Sequence, residues 1–229
     1  MHDQLTTPTP RRSFLVRAAA LGAALSGALP LRLGALGVPV PEASPDPDVA
    51  DRWLQGLNGK HRQLFDMPLH ENGLGLVHVR NYLETWKTAY HVPDAQVNAI
   101  GTFYGKTIPL GLADPMWDKY PLGEAIEAKD ASGAPLKRNM FYDPKPGDPF
   151  AFDMYDSSIK ALQARGARFI LCNNALTLWS MMIAKKAGAD QKAVYEELAS
   201  NMLPGVILVP GMVVAINKAQ ERGFSYMKL

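Results

Sequence analysis

ARFILCNNALTLWSMMIAKKAG, residues 167–188, sets a short, near-continuous apolar run directly against a longer run whose apolar residues recur every three to four positions. Residues 167–172 read as a strand buried on both faces, because a strand with one wet face alternates polar and apolar residues and this one does not. The stretch from Ala175 to Ala187 is too long, and too rich in Leu, Met, Ala and Lys, for a strand. It reads as a helix, and Gly188 supplies the left-handed residue on which helices commonly stop. A doubly buried strand feeding straight into a helix is the building unit of a parallel sheet covered by helices.

The same rhythm extends both ways. HRQLFDM (61–67), VNAIGTFYG (97–105), GVILVP (205–210) and FSYMKL (224–229) read as further strands. Between them, Leu76, Val79, Leu83, Trp86 and Tyr90 fall at helical spacing. SSIKALQARG (157–166), DQKAVYEELASNM (190–202) and GMVVAINKAQERG (211–223) read as helices, with Asp190 as an N-cap and Gly166 and Gly223 as stops. The expected fold is α/β: a three-layer, mainly parallel five-stranded sheet with helices on both faces. Two irregularities interrupt it. TIPLGLADPMWDKY reads as a short helix broken near Pro115. Residues 121–154 form a connection of a length that compact domains use for lids, binding loops or oligomer contacts, and its Phe141, Tyr142, Phe150 and Phe152 suggest exposed apolar surface that favours a homo-oligomer.

Composition suits one globular domain: 47% hydrophobic and 20% charged residues are ordinary values. The formal charge of +2 is scattered without a basic block, which argues against a nucleic-acid partner or an anionic membrane surface. The N-terminus stands apart. PRRSFLVR (10–17), followed by AAALGAALSGALPL and Arg32, resembles a bacterial twin-arginine signal built on Arg11, Arg12, Ser13, Phe14 and Leu15. The apolar run falls short of the roughly 20 residues a membrane-spanning helix needs. Residues 1–37 are therefore expected to be a cleaved signal, with cleavage after Ala28 or Gly37, and Pro-rich residues 38–50 a tether to a domain over 51–229. The expected location is the periplasm, with no membrane attachment after cleavage.

Open parallel sheets gather ligand sites at the carboxyl ends of their strands. That rule nominates Asp66, Tyr104, the run Cys172, Asn173 and Asn174, and Pro210. Cys172 is the single cysteine, so it cannot close an internal disulfide, and it stands where a helix N-terminus would favour a sulfur anion. Free cysteine is equally at home as a small buried hydrophobe, and position alone leaves both readings open.

ARFILCNNAL with its helix, the ending LPGVILVPGMVVAINKAQERGFSYMKL with Ala219, Gln220, Gly223, Phe224 and Tyr226, and the opening KHRQLFD and HVRNYLETW resemble the DsrE/DsrF-like family of sulfur metabolism over about residues 60–229. DPMWDKYPLGE (114–124) is similar to a motif of its exported, signal-bearing branch. The resemblance implies a flavodoxin-like α/β fold, assembly as trimers or hexamers, and a persulfide on Cys172 passed to or from a sulfur donor or acceptor protein.

Other chemistry is sparse. No nucleophile elbow, zinc-helix motif or phosphate loop is present. His61, His70, His78 and His91 do not pair at ligand spacing, so no metal and no cofactor is expected. Asp66 suits either ligand orientation or a cap. Trp117, Lys119 and Tyr120 suggest an aromatic and cationic rim, or an oligomer contact. Two function classes remain: an exported sulfur-handling protein centred on Cys172, or a non-catalytic binding or assembly module in which Cys172 is structural.

Overall fold

The computed structural model describes residues 51–229, so the expected signal and tether lie outside the described residues. Five strands form one sheet: β1 (His61–Asp66), β2 (Val97–Phe103), β3 (Arg168–Cys172), β4 (Val206–Val209) and β5 (Ser225–Lys228). Their spatial order is β4-β3-β2-β1-β5 and every pairing is parallel. The expected "mainly parallel" sheet is thus wholly parallel. All seven residues of β2 are buried, whereas every residue of the edge strand β5 is exposed.

The helices follow the strands in the expected rhythm: α1 (Leu74–Thr88), α2 (Asp114–Lys119), α3 (Leu122–Ala125), α4 (Ile159–Ala164), α5 (Asn173–Ala187), α6 (Gln191–Ser200) and α7 (Met212–Glu221). The Asp190 side chain caps α6 by accepting from the Ala193 N–H at 2.9 Å, as its position before the helix suggests. Gly188 closes α5 in the left-handed region, at φ 62°. Pro115 stands in the first turn of α2 instead of breaking a helix, because a proline there removes an N–H that would have no partner anyway. The residues before it, Gly105–Gly111, form a 3₁₀ turn.

Strand alternation sends side chains to two faces of the sheet. Phe65, Phe103, Phe169 and Leu171 point to the first face, where they pack with Leu76, Val79 and Leu83 of α1, Leu162 of α4, Leu176 and Trp179 of α5 and Leu198 of α6. Phe103 and Phe169 lie stacked with ring centres 5.3 Å apart. Leu64, Ile100 and Ile170 point to the second face, covered by Met212, Ala215 and Ala219 of α7 and by Trp53, Leu54 and Leu57. The first face carries most of the helices. The second carries one helix and a short segment.

The 121–154 connection does not expose the aromatic surface its composition suggests. Phe141 and Phe150 belong to the first-face core, Tyr142 is half-buried, and Phe152 alone of the four is exposed. The connection is held by Asn139, whose side-chain amide donates to the carbonyls of Leu110 and Leu112 and whose oxygen accepts from the Phe141 N–H. Gly123 lies so close to the Leu136 backbone that an added Cβ would stand 2.2 Å from its carbonyl oxygen. Trp117 is also core, and its indole N–H donates to the Pro109 carbonyl at 3.0 Å. It therefore forms no rim patch with Lys119 and Tyr120. Among the described residues no helix is long and apolar enough to cross a membrane.

Candidate functional site

Period-two alternation puts Asp66, Thr102, Tyr104 and Cys172 on the second face, at the carboxyl edge of three adjacent strands. The register pairs Phe65 with Gly101 and Phe103 with Leu171, so one step further on Asp66 meets Thr102 and Tyr104 meets Cys172. Asp66 and Cys172 lie two strands apart and two residues out of level, about 12 Å by strand spacing and rise, with Tyr104 on the strand between them.

Cys172 ends β3 and occupies the N-cap position of α5. Its Sγ accepts a hydrogen bond from the Met212 N–H, the first residue of α7, at 3.3 Å. The two helices diverge at this point. β3 leads into α5 on the first face, while β4 leads into α7 on the second. Neighbouring strands whose outgoing connections part to opposite faces open a crevice between them, the topological switch point at which open α/β sheets bind ligands. Cys172 and the Pro210–Gly211 turn end the two strands at that switch point. Asn174 is exposed beside it, its Nδ2 lying 3.2 Å from where a Cβ on Gly211 would stand. Cys172 itself retains 6% of its surface and packs with Tyr104, Ala175, Met212 and Ala215.

Asp66 is 3% exposed and fully engaged. Its Oδ2 accepts from the Tyr226 hydroxyl at 2.6 Å and its Oδ1 from the Thr102 hydroxyl at 3.3 Å, while the Thr102 oxygen accepts from the Met67 N–H. The carboxylate therefore ties β1 to β2 and β5, and it caps no helix. Burial, and next the Asp66 carboxylate, push the Tyr104 hydroxyl far above its ordinary pKa. The hydrogen bond to Asp66 raises Tyr226 to about 12. Both phenols are consequently neutral hydrogen-bonding groups at ordinary pH.

Of the nominated residues, Asp66, Tyr104, Cys172 and Pro210 converge on one edge. Asn173 does not: it is buried, and its Oδ1 accepts from the Tyr195 hydroxyl at 2.6 Å, which fastens α5 to α6. Thr102, Tyr226 and the Met212 N–H were not nominated. The first two complete the Asp66 cluster, and the third touches the sulfur. A threonine next to the end of a mostly apolar strand was the one local signal for Thr102, whereas the Met212 contact depends on strand order.

Among the described residues the histidines form no centre. His61 stacks on Trp86, and His78 and His91 are exposed. His70 bridges the Asn72 N–H and the Ile126 carbonyl, and burial lowers its pKa. Among the described residues no three His, Cys, Asp or Glu side chains gather as a metal ion requires.

Comparison with family models and with curated proteins returns no match. Among solved structures, a protein of unknown function from Methanobacterium thermoautotrophicum is similar to this chain at 16% identity, covering 74% of this chain and 99% of that one, with a TM-score of 0.39. A likeness at that level carries no argument about activity.

Proposed function

We propose that this chain is a DsrE-like sulfur-handling protein in which Cys172 accepts and releases sulfane sulfur at the β3–β4 crevice. The observation that carries the reading is the placement of the only cysteine at the topological switch point, with the Met212 N–H directed at its sulfur. The first N–H of α7 is thus a hydrogen-bond donor already in place at the sulfur. In the transfer the Cys172 thiolate attacks the terminal sulfur of a donor persulfide. A new S–S bond forms on Cys172, the donor S–S bond breaks, and the donor departs as a thiolate. Tyr104, adjacent on β2 and neutral, supplies a hydroxyl at the mouth of the site. Export through the twin-arginine segment to the periplasm, and assembly as a trimer or hexamer that meets a donor or acceptor protein, belong to the same proposal.

The 6% exposure of Cys172 favours a second reading, a non-catalytic binding or assembly module with a structural cysteine. One experiment separates the two. The full protein is incubated with glutathione persulfide and weighed intact. The sulfur-handling reading requires a gain of one sulfur atom that Cys172→Ser abolishes without loss of fold. A thiol that gains no sulfur and alkylates only in denaturant, together with a destabilised Ser variant, establishes the structural role.

A further inference from the structure

A groove of about 730 Å³ runs along the outer side of α5, on the other side of the sheet from the Cys172 crevice. Leu122 and Ala125 of α3 form one wall, and Leu178, Trp179 and Met182 of α5 form the other. We propose that this groove binds a small carboxylate amphiphile, its apolar body lying on Trp179 and Met182 and its anionic head met by Lys106 and Lys186 at the rim.

The shape and the chemistry agree. Leu178 and Met182, one helical turn apart, remain 49% and 47% exposed, an apolar stripe that a helix facing water alone does not need. The volume lies within the range of about 300–1,000 Å³ typical of small-molecule sites. The polar groups of the walls are already engaged: the Trp179 indole N–H donates to the Gly105 carbonyl at 2.8 Å, and the Tyr120 hydroxyl donates to Glu197. An apolar body therefore enters without stranding a donor.

Charge fixes which amphiphile. The lining holds three lysines and no carboxylate. Lys119 is held by Glu197 through both carboxylate oxygens. Lys106 and Lys186 each have a single long contact, 3.5 Å to Glu127 and 3.4 Å to Glu124, and all four side chains are more than half exposed. Pairs of that kind are worth about 0–1 kcal/mol, so both ammonium groups are free to turn to a ligand head. A concave apolar floor with cations confined to its rim suits a narrow body with one anionic end better than the flat face of a second copy of the chain.

The test is calorimetric titration of the full protein with decanoate, and with decanol as the uncharged probe of equal length. The expected result is saturable one-to-one binding of decanoate, clearly tighter than decanol. Lys106→Gln combined with Lys186→Gln weakens decanoate at least tenfold and leaves decanol unchanged, and Met182→Glu abolishes both. Cys172→Ser leaves decanoate binding intact, so failure of the sulfur chemistry and failure of this site are read separately. Absence of saturable decanoate binding, or equal affinity for the two probes, overturns the proposal. So does light scattering that shows an oligomer which Leu178→Lys dissociates, because the groove is then an interface between copies.

Discussion

Gly123→Ala tests whether the 121–154 connection is packed core or a loose excursion. Gly123 is not in the left-handed region, so alanine suits its backbone and the penalty is purely steric. The new methyl would stand 2.2 Å from the Leu136 oxygen and 2.7 Å from its nitrogen. Neither atom is a flexible chain end. The Leu136 N–H donates to Ala128, and the Ala128 N–H donates to Gly123 itself, at 2.9 and 2.8 Å. Overpacking costs about 1–3 kcal/mol, and a backbone obstacle places this case at the upper end. Reduced entropy of the unfolded chain offsets about 0.4–1 kcal/mol. The net loss of about 2 kcal/mol lowers Tm by about 4–8 °C in a domain of this size. Gly133→Ala, in the same segment at φ +86° with nothing within 4 Å, isolates backbone strain, which costs about 1–2 kcal/mol. Thermal unfolding followed by circular dichroism compares the two variants. A Gly123→Ala protein with the Tm of the wild type would refute the close packing of Gly123 on Leu136.

Trp117→Ala is expected to cost about 3–5 kcal/mol as a core truncation, and Trp117→Phe about 0.5–1.5 kcal/mol for the one lost hydrogen bond, because the Pro109 carbonyl keeps its other donor, the Leu112 N–H. Urea unfolding measures both, and a surface-like loss under about 0.5 kcal/mol for Trp117→Ala would restore the rim reading. Tyr226 has a folded pKa of about 12, above the ordinary value. Its stabilisation is therefore complete below about pH 10 and is lost as pH climbs towards about 12. Tyr226→Phe should remove that part of the alkaline decline, and an unchanged slope in urea midpoints would contradict the Asp66–Tyr226 bond. His70 has a lowered pKa, so the neutral ring contributes stability fully above about pH 6.5, and the contribution falls as pH drops through the folded value. His70→Gln should flatten the stability profile on the acid side of about pH 6.5, and a profile parallel to that of the wild type would show that His70 is not the titrating clasp.

Much of the fold was legible because parallel strands buried on both faces leave unbroken apolar runs, as in FILC and VILV, and because Asp190 and Gly188 carry local cap chemistry. Edge residues were legible for the same reason: where a strand ends, its carboxyl-edge side chains follow. Strand order was not legible, since pairing is a long-range outcome. The approach of the Met212 N–H to Cys172 and the parting of α5 and α7 therefore had no local trace. Pro115 was misread because proline has two meanings, a break inside a helix and a good first turn, and only the phase of the helix separates them. The Pro- and Gly-rich surroundings of Phe141 and Phe150 likewise describe a loop correctly without revealing that its aromatics turn inward. Asn173 illustrates the reverse: it was placed at the right edge, but its side chain is spent on Tyr195.

The pairing of β1 with β5 has a consequence for the order in which the chain folds. β1 lies between β2 and β5, and the Tyr226 bond that satisfies Asp66 closes a separation of 160 residues. During synthesis β1 emerges before the other four strands, yet its second neighbour and the shorter of the two hydrogen bonds to its buried carboxylate arrive only after β2, β3 and β4 have been made. Until then one side of β1 is an open edge with an apolar surface, the kind of intermediate that holding chaperones recognise. Contacts this distant also slow the final step, so the docking of residues 225–228 is expected to be the late event that converts a four-stranded intermediate into the finished sheet.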